Sequence, residues 1–326
     1  MWLMMIVLIV RGLTLPNGLQ GVFYLFTPDF SVMGDIEVWK GAFSQMFFTL
    51  SLGFGIMTAY ASYLPKKSDD VQNATTISLM NCSFEFIAGV AIFSLLFAFA
   101  IVPKASTISM MFFVVPEGIA QFPVMVKAFG LLFFTLLLMA GLTSSVSLVE
   151  AVVLSVMDKF GITRKKVIFI VFLIGCTGSL LFALPAVVDK GLANDGTLGF
   201  TLLDLFDHWA FGYGLLLCGL LEVIILSWFY DLDKLLAFIN ENARYKLGFK
   251  FKILVRFILP AVILFILVWS IGFAEKSEVK GLYGNDYFEQ GSWKNLHLYV
   301  FAAWIAFTVG GTVVLTFMRR RKEESS

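Results

Sequence analysis

"FFTLSLGFG", residues 47–55, stands in the middle of a segment that otherwise reads as a membrane-spanning helix. Thr49, Ser51, Gly53 and Gly55 fall at a depth where lipid offers no hydrogen-bond partner, so the stretch needs a physical reason. Two readings fit. Small residues let two helices approach closely. Alternatively the segment is unwound, with glycine relieving the helix and released backbone groups facing a cavity, as in the broken helices of many transporters.

The rest of the chain gives that stretch a membrane setting. Its 326 residues are 59% hydrophobic and 14% charged, against roughly a quarter charged in soluble domains. Mean hydropathy is +0.87. A span needs about 20 apolar residues, and seven segments reach that length, near 41–63, 76–102, 125–157, 167–187, 202–230, 253–274 and 296–318. The loops after the first, third and fifth spans carry Lys66, Lys67, Lys159, Arg164, Lys165, Lys166, Lys234, Arg244, Lys246, Lys250, Lys252 and Arg256. The tail adds Arg319, Arg320, Arg321 and Lys322. These sixteen of the 24 basic residues share one side if the spans alternate, and the positive-inside rule makes that side, with the C-terminus, cytoplasmic. The expected fold is an all-α polytopic protein of the cell membrane. A net charge of +1 gives no reason to expect a nucleic-acid partner.

"MWLMMIVLIV" runs only ten residues before Arg11, about 15 Å of helix against a hydrocarbon core of about 30 Å. It lacks the basic start and small-residue cleavage site of a signal peptide. It reads as the outer half of a span whose beginning is missing, so the chain is expected to be truncated. Residues 13–36 and 103–123 mix aromatic and apolar residues with Pro and Gly. Both are expected as short helices on the extracellular side.

A second polar cluster, "AGLTSSVSL" at 140–148, lies midway along the third span. Ala140, Thr143 and Ser144 stand at i, i+3 and i+4, so one face offers two hydroxyls and a carbonyl. Such oxygens suit a small hard cation. The competing reading is hydroxyls bonding back to their own helix. In the second span, Asn81 and Glu85 are four apart and share a face, and an intramembrane carboxyl is a functional candidate unless a polar neighbour pairs with it. Glu150 and Glu222 also fall inside spans, without an equally suggestive sequence neighbour. Asp204 and Asp207 are either ordinary interfacial charges or guards of an entrance. Cys82, Cys176 and Cys218 sit in apolar runs and read as packing residues. With only His208 and His297, no metal-ligand spacing and no paired catalytic carboxylates, the chain is not expected to be an enzyme.

From "VLIVRGLTLPNGLQGVFYLFTPDFS" through "GAFSQMFFTLSLGFGIMTAYASY" and "NCSFEFIAGVAIFS" to "LMAGLTSSVSLVE" and "LLDLFDHWAFGYG", the sequence resembles the neurotransmitter:sodium symporter family, with its bacterial leucine-transporter fold. Essentially the whole chain takes part. The resemblance implies twelve helices in the family fold, the first ten as two inverted repeats. Here it implies the end of helix five at 1–12 and an extracellular segment at 13–36. Helices six to ten, the second repeat, follow at 37–231, and helices eleven and twelve with the tail at 232–326, all in one membrane domain. Seven full transmembrane helices and one partial helix result.

By the same resemblance, Thr49 and Asn81 bind a first sodium ion. The Ala140 carbonyl and the Thr143 and Ser144 hydroxyls bind a second. Phe48, Thr49, Ser51, Phe54, Ser144 and Leu148 line a pocket for a small neutral amino acid or related amine. Asp207 and Gln45 belong to an outer gate. Glu85 replaces a serine of the chloride-dependent members, its fixed charge standing in for chloride. Sodium is the coupling ion, and no organic cofactor is implied. The family's helices one to four complete these sites. Three sources for them stand open: a separately encoded N-terminal half as partner, a frameshifted neighbour or a gene-calling error. The alternative reading of the chain is a non-transporting membrane fragment or one half of a split transporter. The chain alone is expected not to transport, because half a ligand shell does not offset the dehydration of Na⁺.

Overall fold

The computed structural model describes residues 1–65, 67–101, 110–188, 198–274 and 295–318. Lys66, the basic tail from Arg319, residues 102–109 and most of the polar stretches near 186–200 and 275–295 lie outside them. Every regular element within the described residues is helical. That is the outcome lipid imposes, because a helix satisfies its backbone groups internally. In chain order these are α1 (Trp2–Leu13), α2 (Gly18–Phe26), α3 (Ile36–Thr49), α4 (Ile56–Ala61), α5 (Asp70–Ala98), α6 (Val115–Ala120) and α7 (Val126–Phe160). They continue as α8 (Arg164–Val188), α9 (Leu198–Asp207), α10 (Leu215–Ile224), α11 (Leu232–Glu241), α12 (Phe249–Ile253), α13 (Leu259–Trp269) and α14 (Leu296–Phe317). Single π-helical turns extend α9, α10, α12 and α13 at His208–Gly214, Ile225–Phe229, Leu254–Ile258 and Ser270–Ala274.

Among the described residues five helical runs are long and apolar enough to cross a membrane: Asp70–Ala98, Val126–Phe160, Leu202–Phe229, Phe249–Gly272 and Leu296–Phe317. The segment expected at 41–63 is divided between α3 and α4, and 167–187 falls within the 25 residues of α8. At the N-terminus, α1 and the helical run Gly18–Gly34 are bent by 110°. Asn17, at φ 62°, makes the turn. The second expected outer segment is helical over Met110–Ala120, and its residues 103–109 lie outside the described residues.

The chain forms two compact units, Met1–Val32 with Thr75–Ser147, and Met33–Ala74 with Leu148–Ser326. In the first, Leu15, Leu95, Val115, Ile119, Phe122 and Phe133 make a buried cluster. The helices approach so closely that a Cβ on Gly21 would lie 2.1 Å from the Phe93 carbonyl oxygen. Arg11 lays its guanidinium over Phe122 and Phe129, 5.1 and 5.8 Å from the ring centres, an attraction strengthened by the apolar surroundings.

The second unit is built on Phe47, Trp209, Tyr213, Leu215, Leu216, Leu220, Ile263, Ile266 and Leu267. Phe47 brings α3 into a notch at Gly219, where a Cβ would lie 2.0 Å from the Phe47 ring. Close packing of this kind makes truncation of a buried aromatic cost about 3–5 kcal/mol. A polar cluster sits beside this core. The buried Lys40 ion-pairs with Glu37 and donates to the Tyr213 hydroxyl at 3.2 Å. Ser270 Oγ donates to Glu37 Oε1 at 2.6 Å, and the Tyr213 and Ser270 hydroxyls are 3.0 Å apart.

Candidate binding site

The helix that begins at Ile36 stops at Thr49 because the next residues turn left-handed. Ser51 has φ 56°, Gly53 φ 76° and Gly55 φ 73°. The Leu52 N–H returns to the Phe47 carbonyl at 2.8 Å and the Ser51 N–H to the Phe48 carbonyl at 3.0 Å. These paired bonds close the end of α3 around a left-handed residue, a position glycine usually fills. Here it is serine, at an intrinsic cost of roughly 1–2 kcal/mol. Gly55 then caps α4, its carbonyl receiving the Ala59 N–H at 2.9 Å. Of the two readings of this stretch, unwinding is what the backbone does. Close approach also holds at Gly53, where a Cβ would meet Cys218 and Leu215 at 3.3 Å.

The break is held from outside by α10. The Glu222 carboxylate accepts a hydrogen bond from the Gly53 N–H, giving a released backbone donor the partner that lipid cannot supply. Nothing near Glu222 in the sequence signals this role, because its partner is distant in the chain. The same holds for Glu150. It accepts two bonds from Arg164, at 2.9 and 2.5 Å, and one from the Tyr63 hydroxyl at 2.6 Å. This charge-assisted, bidentate pairing joins the chain after α4 to α7 and α8. Glu37 and Lys40 stand at the i, i+3 spacing of a helical ion pair, but nothing in the sequence ties that pair to Tyr213 and Ser270.

Around the break, Phe48, Phe54 and Phe211 form a trio. Phe48 and Phe211 meet edge to face at 5.2 Å, Phe54 and Phe211 lie at 5.8 Å, and Phe48 and Phe54 at 6.3 Å. Thr49, Ser51 and Phe54 are half-buried, and Phe48 and Leu148 are exposed. Gln45 is exposed on α3, and Asp207 is exposed at the last α-helical residue before the π turn. All of these belong to the second unit.

Asn81, Glu85, Ala140, Thr143 and Ser144 belong to the first unit. Asn81 and Glu85 are half-buried on α5, and both have polar or electrostatic partners. On α7 the helix runs without interruption. The Thr143 hydroxyl donates to the Ala140 carbonyl at 2.9 Å and the Met139 carbonyl at 3.1 Å. Ser145 and Ser147 likewise bond back to Gly141 and Thr143. The back-bonding reading therefore describes this cluster as it stands. It also keeps the Ala140 carbonyl and Thr143 hydroxyl oxygens adjacent on one face. Among the described residues no group of three or more His, Cys, Asp or Glu side chains is placed to hold a metal ion.

Comparison with known proteins places this architecture. The sequence profile of the Sodium:neurotransmitter symporter family matches residues 1–320. The chain is 40% identical over 267 residues to an uncharacterized sodium-dependent transporter of Methanocaldococcus jannaschii, covering 80% of this chain and 52% of that protein. It is 29% identical over 279 residues to the sodium-dependent serotonin transporter of Drosophila melanogaster, covering 83% and 43%. The creatine transporter of Torpedo marmorata is 28% identical over 262 residues, covering 76% and 40%. The chain thus spans about half the length, or less, of these curated relatives.

Proposed function

The chain belongs to the sodium:neurotransmitter symporter family, a family of transporters and not of enzymes, and from that premise we propose that it provides the second-repeat portion of a sodium-coupled symporter for neutral amino acids or related small amines. The observation that carries this reading is the broken helix at residues 50–55. Three left-handed residues interrupt an apolar run and release a backbone N–H that the Glu222 carboxylate takes up. Unwound backbone of this kind is where such transporters hold substrate and ion.

In this proposal Thr49 and Asn81 hold one sodium ion, and Ala140, Thr143 and Ser144 the other. Ser51, Phe48, Phe54, Ser144 and Leu148 receive the substrate with Thr49, and Gln45 and Asp207 guard the outer approach. A neutral substrate is favoured because Ser51 and Leu148 offer no counter-charge. Glu85 supplies the negative charge beside the first ion, so replacing chloride by gluconate leaves sodium affinity unchanged. The membrane orientation has the basic loops and C-terminus in the cytoplasm.

Binding of tritiated neutral amino acids to the chain assembled with the family's helices one to five, measured in sodium and again in choline, tests the reading. Sodium-dependent binding abolished by Thr49→Val supports it; binding indifferent to sodium refutes it. Uptake into proteoliposomes, run with the chain alone and with the family's helices one to five supplied on a second polypeptide, separates a self-sufficient transporter from one that acts with another chain.

A further inference from the structure

We infer that Phe211 is a specificity-determining residue of the substrate pocket, completing with Phe48 and Phe54 a three-ring wall that limits the size of the side chain admitted. This rests on the reading that Phe48 and Phe54 line that pocket. Phe211 is the ring common to the two tightest contacts of the trio, 5.2 Å from Phe48 at an interplanar angle of 85° and 5.8 Å from Phe54 at 54°. Such edge-on arrangements are favourable and fix ring orientation.

The trio is not an ordinary piece of core. Phe54 and Phe211 rest against the buried cluster of the second unit, yet neither is fully buried, and Phe48 remains 50% exposed. One side is anchored on packed protein and the other presents ring surface, which is the form of a wall. Its position is fixed by the backbone. Phe211 sits within the π turn His208–Gly214, and the next residue, Gly212, accepts a hydrogen bond from Ser44 Oγ at 3.0 Å. Ser44 lies one helical turn before Phe48 on α3, so this bond ties the two rings to a common frame. The surface they offer is apolar and uncharged, matching an aliphatic side chain of limited bulk. A larger aromatic side chain would compete with Phe211 for the same space.

The test measures sodium-dependent binding of tritiated alanine, leucine and phenylalanine to the full chain assembled with the family's helices one to five on a second polypeptide, and to the same assembly carrying Phe211→Ala, Phe211→Leu or Phe211→Trp. Removing the ring in Phe211→Ala is expected to shift the phenylalanine-to-alanine affinity ratio about tenfold toward phenylalanine, the scale of discrimination a hydrophobic pocket achieves. Phe211→Leu shifts it less in the same direction, and Phe211→Trp shifts leucine and phenylalanine down relative to alanine. A purely structural role would change all three affinities by a common factor, and that result overturns the inference. If Phe211→Ala fails to fold, as judged by its melting temperature, the Leu and Trp variants decide the question through the same ratio. Wild-type binding that is sodium-dependent but ratios that stay constant overturn the role of Phe211 alone. Absence of sodium-dependent binding in the wild type overturns the pocket reading and this inference with it.

Discussion

Residues 49–55 and residues 140–147 each set glycine beside hydroxyl side chains inside an apolar helix, yet the first breaks and the second winds through. In the first, Ser51, Gly53 and Gly55 all turn left-handed, and the Gly53 N–H finds the Glu222 carboxylate. In the second, Thr143, Ser145 and Ser147 direct their hydroxyls to carbonyls three or four residues back, and a Cβ on Gly141 would meet open space. Small and polar residues permit a break but do not cause one. At the break an acceptor on another helix faces the released donor, whereas the wound segment has none of its backbone donors released.

The largest effect is expected at the packing anchor of the broken segment. Phe47→Ala, emptying the notch at Gly219, is expected to lower unfolding stability by about 3–5 kcal/mol, read as a fall in melting temperature in detergent. Removing the outside acceptor comes next. Glu222→Ala leaves the Gly53 N–H without its partner, a loss of about 1–3 kcal/mol, and Glu222→Gln recovers most of it through its amide oxygen. Equal melting temperatures for the two variants would show that the hydrogen bond is irrelevant to the break.

Ser51→Gly acts in the opposite direction. It relieves a left-handed serine and is expected to stabilise by about 1 kcal/mol, with weaker amino-acid binding if the hydroxyl meets substrate. Thr143→Val, on the wound helix, removes a hydroxyl that bonds back to its own helix. Its stability should stay within about 0.5 kcal/mol of wild type, with sodium-dependent binding lost. A large stability change there would show that the cluster is structural.

The smallest effect lies outside the spans. Asp69 accepts backbone N–H groups of Gln72 and Arg244, the latter at 2.7 Å, and these donors hold its carboxyl below the ordinary carboxylate range. A folded-state value depressed in this way adds stability above the unfolded value and loses it as pH falls through the folded one. Faster hydrogen exchange at the Arg244 amide should therefore appear only below the ordinary value of 3.8, and Asp69→Asn should remove the pH dependence.

Much of this is legible in the chain itself. Apolar runs mark the helices, and Gly53 with Gly55 marks a place where the span either breaks or packs closely. The left-handed serine at 51 is not legible, since serine carries no such preference. Nor are the partners of Glu150 and Glu222, because the residues that meet them are set by packing and not by spacing. The π turns are equally silent: one extra residue in a helical turn leaves no mark in an apolar pattern. That is why the sequence gives no sign that Phe211, carried by such a turn, stands beside Phe48 and Phe54.

Lys40, Glu37, Tyr213 and Ser270 are linked by an ion pair and three hydrogen bonds. The Glu37 carboxylate accepts from the Ser270 hydroxyl and takes its countercharge from Lys40, one turn along its own helix. Being part of the polypeptide, that countercharge stays in place whatever the salt gradient across the membrane.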